Sequence, residues 1–252
     1  MDPESYAQLQ EEIRERMKAD RVLLDRLREE IRPLRSEVRR IQPRTTTAIS
    51  LVGTDGGNNR VRFDPFLVQI IRVVDSSNNE YCLEAVTPTT SVSALSRRQF
   101  DDAGNPTTAL GRMMAFLGDR DLTQLSHMIR SNEDDRPVSP SWVQVYRELI
   151  EWAILFDLIR NKDFGTDTLI LYDGLLRSKV FADDRFKRYL QGLQEGIEAQ
   201  RQRTRRRIYL AGMAKHSKVL DRYRLAMALE GILTTENPDY VEVPRDIEER
   251  AY

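Results

Sequence analysis

The stretch Ala48-Ile49-Ser50-Leu51-Val52-Gly53-Thr54-Asp55-Gly56-Gly57-Asn58-Asn59 is a short apolar run closed by four turn-forming residues. It reads as a strand that delivers Asp55 to its carboxyl end, with the turn following at once. A second run of the same design, Thr168-Leu169-Ile170-Leu171-Tyr172-Asp173-Gly174, lies more than a hundred residues downstream. Its unbroken apolar character predicts a strand buried on both faces. Between the two, Phe66 to Val74 and Glu80 to Val86 are β-rich and flank the turn Asp75-Ser76-Ser77-Asn78-Asn79, so at least these two form a hairpin. Ser139-Pro140-Ser141 opens an amphipathic helix through Arg160, with Val145, Leu149, Trp152, Phe156 and Ile159 on its apolar side.

Beyond Asp173 the pattern predicts a helix from about Asp183 to Arg205, a strand from Ile208 to Met213 and a helix from about Lys218 to Leu233. The acidic stretch from Thr234 to Tyr252, with Pro238 and Pro244, reads as a connector or an edge strand. Three antiparallel strands followed by βα crossovers onto the same sheet is a ribonuclease-H-like order, an α/β fold with a mixed sheet flanked by helices. Residues 88–138 lack strong periodicity and read as an insertion, with short helices near Ala109 to Phe116 and Leu122 to Ile129.

The segment from Asp2 to about Arg40 has a different texture, rich in Glu, Arg, Leu and Ile. Asp2 and Pro3 form an N-cap and first helical position, and Pro33 should break or kink the helix. Ile13, Met17, Leu24, Leu27, Ile31, Leu34, Val38 and Ile41 recur in steps of three and four, a coiled-coil-like seam. Such a seam either packs on its own domain or pairs subunits. The expected organisation is an N-terminal helical extension over 1–44 and a core over 45–252.

Composition narrows the chemistry. Of 252 residues, 31% are charged, yet 39 basic and 40 acidic residues nearly cancel, so only their placement can reveal a partner. Cys82 is the sole cysteine and His127 and His216 the only histidines, which excludes an intramolecular disulfide and Cys- or His-based metal clusters. Any bound metal must rely on carboxylates. No apolar run suits a signal peptide or a membrane span, and the expected location is the cytoplasm without membrane association.

Two strands ending in Asp-Gly would bring Asp55 and Asp173 side by side at one sheet edge. Their mutual repulsion is ordinarily relieved by a divalent cation, and two-metal phosphodiester hydrolysis uses such a pair. The adjacent helix offers Glu151 as a third ligand, with Glu148 in reserve. The competing reading of each Asp-Gly pair is plain turn chemistry.

Leu51 to Gly57, Arg147 to Glu151, Leu169 to Leu175 and Leu210 to Ser217 resemble the successive blocks of the NurA family of DNA nucleases. The resemblance implies a manganese- or magnesium-dependent nuclease of ribonuclease-H-like fold that processes DNA ends, in repair or in defence against invading DNA, as a homodimer working with the hexameric translocase HerA. It implies Asp55, Glu151 and Asp173 as metal ligands and catalytic residues, and Lys215 as a contact to a DNA phosphate. The sequence departs from the family in having Gly57 and Leu175 where a serine usually follows Asp-Gly. It also lacks the family's further C-terminal portion with another metal-site residue, for which Asp221 is the local substitute.

Arg201, Arg203, Arg205, Arg206 and Arg207 crowd the end of one helix. Cations there complement the helix dipole, but five in seven positions exceed that need, and Arg203, Arg206 and Arg207 are expected to touch phosphates. Two other functions fit parts of the sequence. A decayed structural subunit of a HerA-type complex would keep the fold without the metal site. An actin- or sugar-kinase-like phosphotransferase would use Gly53 to Arg60 as a phosphate hairpin, but a second phosphate loop is not evident. No Gly-x-x-x-x-Gly-Lys-Ser/Thr loop occurs, so any motor must come from a partner.

Overall fold

A computed structural model describes residues 2–42, 50–63, 66–75, 80–139, 141–214, 217–233 and 236–251. Its elements in chain order are α1 (Pro3–Ile31), a 3-10 segment (Arg32–Glu37), β1 (Arg39–Arg40), β2 (Ser50–Phe63), β3 (Phe66–Asp75), β4 (Glu80–Val86), α2 (Val92–Arg97), α3 (Ala109–Leu117), α4 (Leu122–Leu125), α5 (Trp142–Asn161), β5 (Thr168–Tyr172), α6 (Arg185–Thr204), β6 (Ile208–Gly212), α7 (Lys218–Leu229), β7 (Asp239–Tyr240) and α8 (Arg245–Ala251). The chain divides into two compact units, Met1–Thr47 with Lys215–Tyr252, and Ala48–Ala214. The first and last segments of the sequence thus belong to one unit.

In that terminal unit, Asp2 caps α1 by accepting from the Ser5 N–H at 3.1 Å, and Pro3 occupies the first turn. Pro33 cannot donate to an α-helical ladder, and after Ile31 the helix tightens into the 3-10 segment. Ile31 and Leu34 are buried with Tyr223, Ala226, Met227, Ile232 and Ile247, and Leu24, Leu27 and Val38 pack around them. The predicted seam is therefore covered within the chain from Leu24 to Val38, while Ile41 stays exposed. Glu230, nearly enclosed, receives Arg28 at 2.7 Å and Arg32 at 3.1 Å. The Tyr223 hydroxyl donates to Glu30 at 2.7 Å.

The central unit is mixed helix and sheet. Its five strands run in the order β4-β3-β2-β5-β6. β2, β3 and β4 are antiparallel neighbours, and β2, β5 and β6 are parallel. Each parallel step is crossed by helix, α5 before β5 and α6 before β6. α5 is apolar on nearly every side because it lies between strands and helices, against β2 to β4 on one flank and α3 and α6 on another. Trp152, Tyr146, Leu149 and Leu155 are wholly buried there.

One boundary differs from the sequence reading in a way that matters for the site. β2 does not end at Asp55: Gly56, Gly57, Asn58 and Asn59 continue as strand and pair with Val73, Arg72, Ile71 and Ile70. The chain reverses between Phe63 and Phe66 instead. Ten consecutive cross-strand pairs outweigh the turn preference of the Gly-Asn composition. α2, α3 and α4 supply Leu95, Met113, Met114, Leu122 and Leu125 to the same buried cluster as α5.

Candidate functional site

The parallel ladder between β2 and β5 begins at Ser50 beside Thr168 and runs out at Thr54 beside Tyr172. The next residue on each strand is an aspartate, so Asp55 and Asp173 follow the last pair on adjacent backbones. Asp55 belongs to a strand that continues, and its neighbour on the other edge is Val74 of β3. The Asp55 side chain lies outside the described residues.

After Tyr172 the backbone turns sharply. Gly174 has φ of +149° and its N–H donates to the Tyr172 carbonyl at 3.0 Å, and the Met213 N–H donates to the same carbonyl at 2.8 Å. A Cβ on Gly174 would stand 3.1 Å from the Tyr172 ring, so glycine suits both the conformation and the space. The end of β6 closes from the other side. An added Cβ on Gly212 would come within 2.6 Å of the Gly174 carbonyl oxygen.

α5 brings its own charges to this end of β5. The Trp152 and Tyr172 rings pack with centroids 4.3 Å apart. One turn away, Glu148 accepts from the Ser178 hydroxyl at 2.6 Å and the Trp152 indole N–H at 3.2 Å. Glu148 is thus held between two donors. Glu151 keeps only 13% of its side chain exposed and lies 3.2 Å from the Arg147 Nε. That Nε is buried without a well-directed hydrogen bond. Burial pushes the Tyr172 phenol above its usual range. Glu151, Glu148 and then Asp173 add to the effect, and Arg147 opposes it. Three carboxylates and one guanidinium therefore act on a single hydroxyl.

Among the described residues, no group of three or more His, Cys, Asp or Glu side chains is arranged to hold a metal ion. The donors on offer are nonetheless carboxylate oxygens, which suit hard divalent cations such as Mn²⁺ or Mg²⁺. Beside Glu148 opens a cleft of about 540 Å³, lined by Met128, Ser141, Gln144, Val145, Arg147 and Val180. Sequence reading missed Arg147 as the partner of Glu151, although their i,i+4 spacing was a usable signal. It also missed Ser178, for which no local pattern speaks.

The residues expected to meet DNA are distributed differently. Lys215 lies outside the described residues. Arg205 to Arg207 precede β6, and Ile208 pairs with Thr168, so the cluster sits at the amino-terminal ends of the parallel strands. Asp173 follows their carboxyl-terminal ends, roughly 16 Å along the strand direction for five residues of rise. Arg203 pairs with Asp163, Arg206 donates to the Phe164 carbonyl, and the Arg207 backbone N–H donates to Asp167 at 2.9 Å. These bonds fasten the loop between α5 and β5. Asp221 belongs to the terminal unit, in the first turn of α7, where a carboxylate complements the helix dipole. No described helix is long and apolar enough to cross a membrane.

No protein-family model matches the sequence, and no curated protein matches it. Among solved structures, a crystal structure of NurA with manganese aligns at 12% identity and a TM-score of 0.27, covering 93% of this chain and 60% of that one. The score is too low for the likeness to bear on fold or function. The chain spans 60% of that structure's length.

Proposed function

We propose that the chain is a metal-dependent DNA nuclease with a ribonuclease-H-like core, in which Asp55, Glu151 and Asp173 hold Mn²⁺ or Mg²⁺. The observation that carries this reading is the β2–β5 register, which runs out at Thr54 and Tyr172 and leaves an aspartate next on each backbone. The strand order and directions fit the same core. When bound, the metal would activate water and stabilise the leaving oxygen of a phosphodiester. The chain's part would be to hold the carboxylates still: Gly174 turns the backbone behind Asp173, and Trp152 packs on Tyr172 where α5 meets the end of β5.

The proposal extends to action on DNA ends in the cytoplasm, as a homodimer, with a hexameric HerA-type ATPase supplying the motor this sequence lacks. Phosphate contact by Lys215, Arg203, Arg206 and Arg207 remains part of the reading. The three arginines would serve DNA away from the carboxylates.

A second reading is favoured by one specific contact. Arg147 already lies 3.2 Å from Glu151, and a fixed guanidinium can neutralise a carboxylate in place of a metal, as in a decayed structural subunit. Incubating the chain with linear single- and double-stranded DNA and manganese, with and without a HerA-type ATPase, separates the two. Cleavage that requires the metal and Asp173 is the expected result. Absence of cleavage under all these conditions favours the decayed subunit.

A further inference from the structure

One face of α1 is covered along half its length. With 3.6 residues per turn, Leu24, Leu27 and Ile31 share an arc of about 80° with Tyr6, Leu9, Ile13 and Met17, a single stripe along the helix. The first three pack on the cluster that contains Tyr223, Ala226 and Met227. The other four are between 44% and 64% exposed. Pro3 to Asp20 is an overhang of about 27 Å at 1.5 Å per residue. A lone helix of that length is marginal in water without something to pack on.

The charges along the overhang say what fits it. Residues 2–12 carry Asp2, Glu4, Glu11 and Glu12 and no Lys or Arg. Residues 13–21 carry Arg14, Arg16, Lys18 and Arg21 against Glu15 and Asp20. A copy laid antiparallel places the acidic half on the basic half, whereas a parallel copy places like on like. The intrahelical pairs Glu11 with Arg14 and Glu15 with Lys18 are fully solvated and cost little to rearrange.

We propose that the amino-terminal half of α1 is a docking surface for a second copy of this chain, paired antiparallel about a two-fold axis near Ile13. In that register Ile13 meets Ile13 of the other copy, Leu9 meets Met17, Glu12 comes alongside Arg16 on the same flank, and the Tyr6 phenol faces Asp20. The surface is complementary to itself, as an isologous interface must be, and charge sets its orientation. None of these residues belongs to the carboxylate site, so the inference adds a surface and an orientation to the proposed homodimer and stands or falls apart from the nuclease reading.

The test uses the full chain with Cys82→Ser, sedimentation equilibrium, and copper-phenanthroline oxidation of added cysteines. A dimer at micromolar concentration is expected. Ile13→Cys should crosslink to itself, and Leu9→Cys should not, but Leu9→Cys mixed with Met17→Cys should. The double substitution Ile13→Asp, Met17→Glu should weaken dimerisation about tenfold or more while leaving the thermal midpoint of the monomer unchanged, since both positions are exposed. A parent that is monomeric at high micromolar concentration overturns the proposal and leaves the stripe to another partner. So does a dimer indifferent to the double substitution, or a Leu9→Cys that crosslinks to itself as readily as Ile13→Cys.

Discussion

Gly212→Ala probes how tightly the turn after β5 is built. The added Cβ would lie 2.6 Å from the Gly174 carbonyl oxygen, 3.1 Å from the Leu176 amide nitrogen and 3.0 Å from the Leu176 Cγ. Favourable contacts between carbon and its neighbours begin near 3.5 Å. Two of the three obstructing atoms are backbone, so a rotamer change cannot relieve the clash. Either β6 slips against β5, stretching the 2.8 Å bond from Met213 N–H to the Tyr172 carbonyl, or the turn carrying Asp173 moves. Overpacking of this kind costs about 1–3 kcal/mol. In a unit of this size that lowers the melting temperature by about 2–12 °C. Gly165→Ala is the control, because a Cβ there meets nothing within 4 Å. Differential scanning calorimetry of parent, Gly212→Ala and Gly165→Ala measures the difference. Equal melting temperatures for all three would refute the close approach of β6 to the Asp173 turn.

Three further outcomes are expected. Asp55→Ala and Asp173→Ala should each abolish manganese-dependent DNA cleavage with unchanged far-UV circular dichroism, and cleavage persisting at more than about a hundredth of the parent rate in either would end the carboxylate assignment. Ile31→Ala, in the core of the terminal unit, should cost about 2–5 kcal/mol and raise amide exchange across Tyr223 to Met227 on α7, whereas Ile13→Ala should not. For pH, Arg32 and then Arg28 hold the Glu230 carboxyl below its ordinary value of 4.5. A depressed folded-state value means the stabilisation is full above the unfolded value and lost as pH falls through the folded one. Thermal melts between about pH 3 and pH 7 should therefore show the parent losing more stability at acid pH than Glu230→Gln, and parallel curves would show that the pair does not contribute.

Much of the architecture was legible because it rests on local pattern. The run Thr168 to Tyr172, the amphipathic α5 and the break at Pro33 each announce themselves through periodicity or proline chemistry. The course of β2 was not legible. Gly56-Gly57-Asn58-Asn59 has turn composition, and only the long ladder with β3 holds it extended. The seam on α1 was visible, but whether it turned inward was decided by α7, nearly two hundred residues away. Charged substitutions at Leu27, Ile31 and Leu34 would consequently unfold the terminal unit rather than report on assembly. Leu9, Ile13 and Met17 are the positions that can. α2, capped by the Ser91 hydroxyl on the Ala94 N–H, carried too short a pattern to be read.

The carboxylates and the arginines lie at opposite ends of the same parallel strands, and this separates two ideas that looked like one in the sequence. Arginines at a helix end, followed by a strand, suggest a phosphate site beside the strand's product. β6 carries the chain away from them, however, and Arg203 and Arg206 are engaged with Asp163 and Phe164. A phosphodiester brought to Asp173 would meet different cations. Arg147 lines the cleft beside Glu148, and Arg177 and Lys179 are exposed on the segment that follows the Asp173 turn. Arg147 then has two possible loyalties, the Glu151 carboxylate it neighbours and an anion in the cleft. In the nuclease reading Glu151 would hold the metal, and Arg147 would be left to bind the anion. In the decayed-subunit reading the ion pair is permanent and the cleft has no anion to hold.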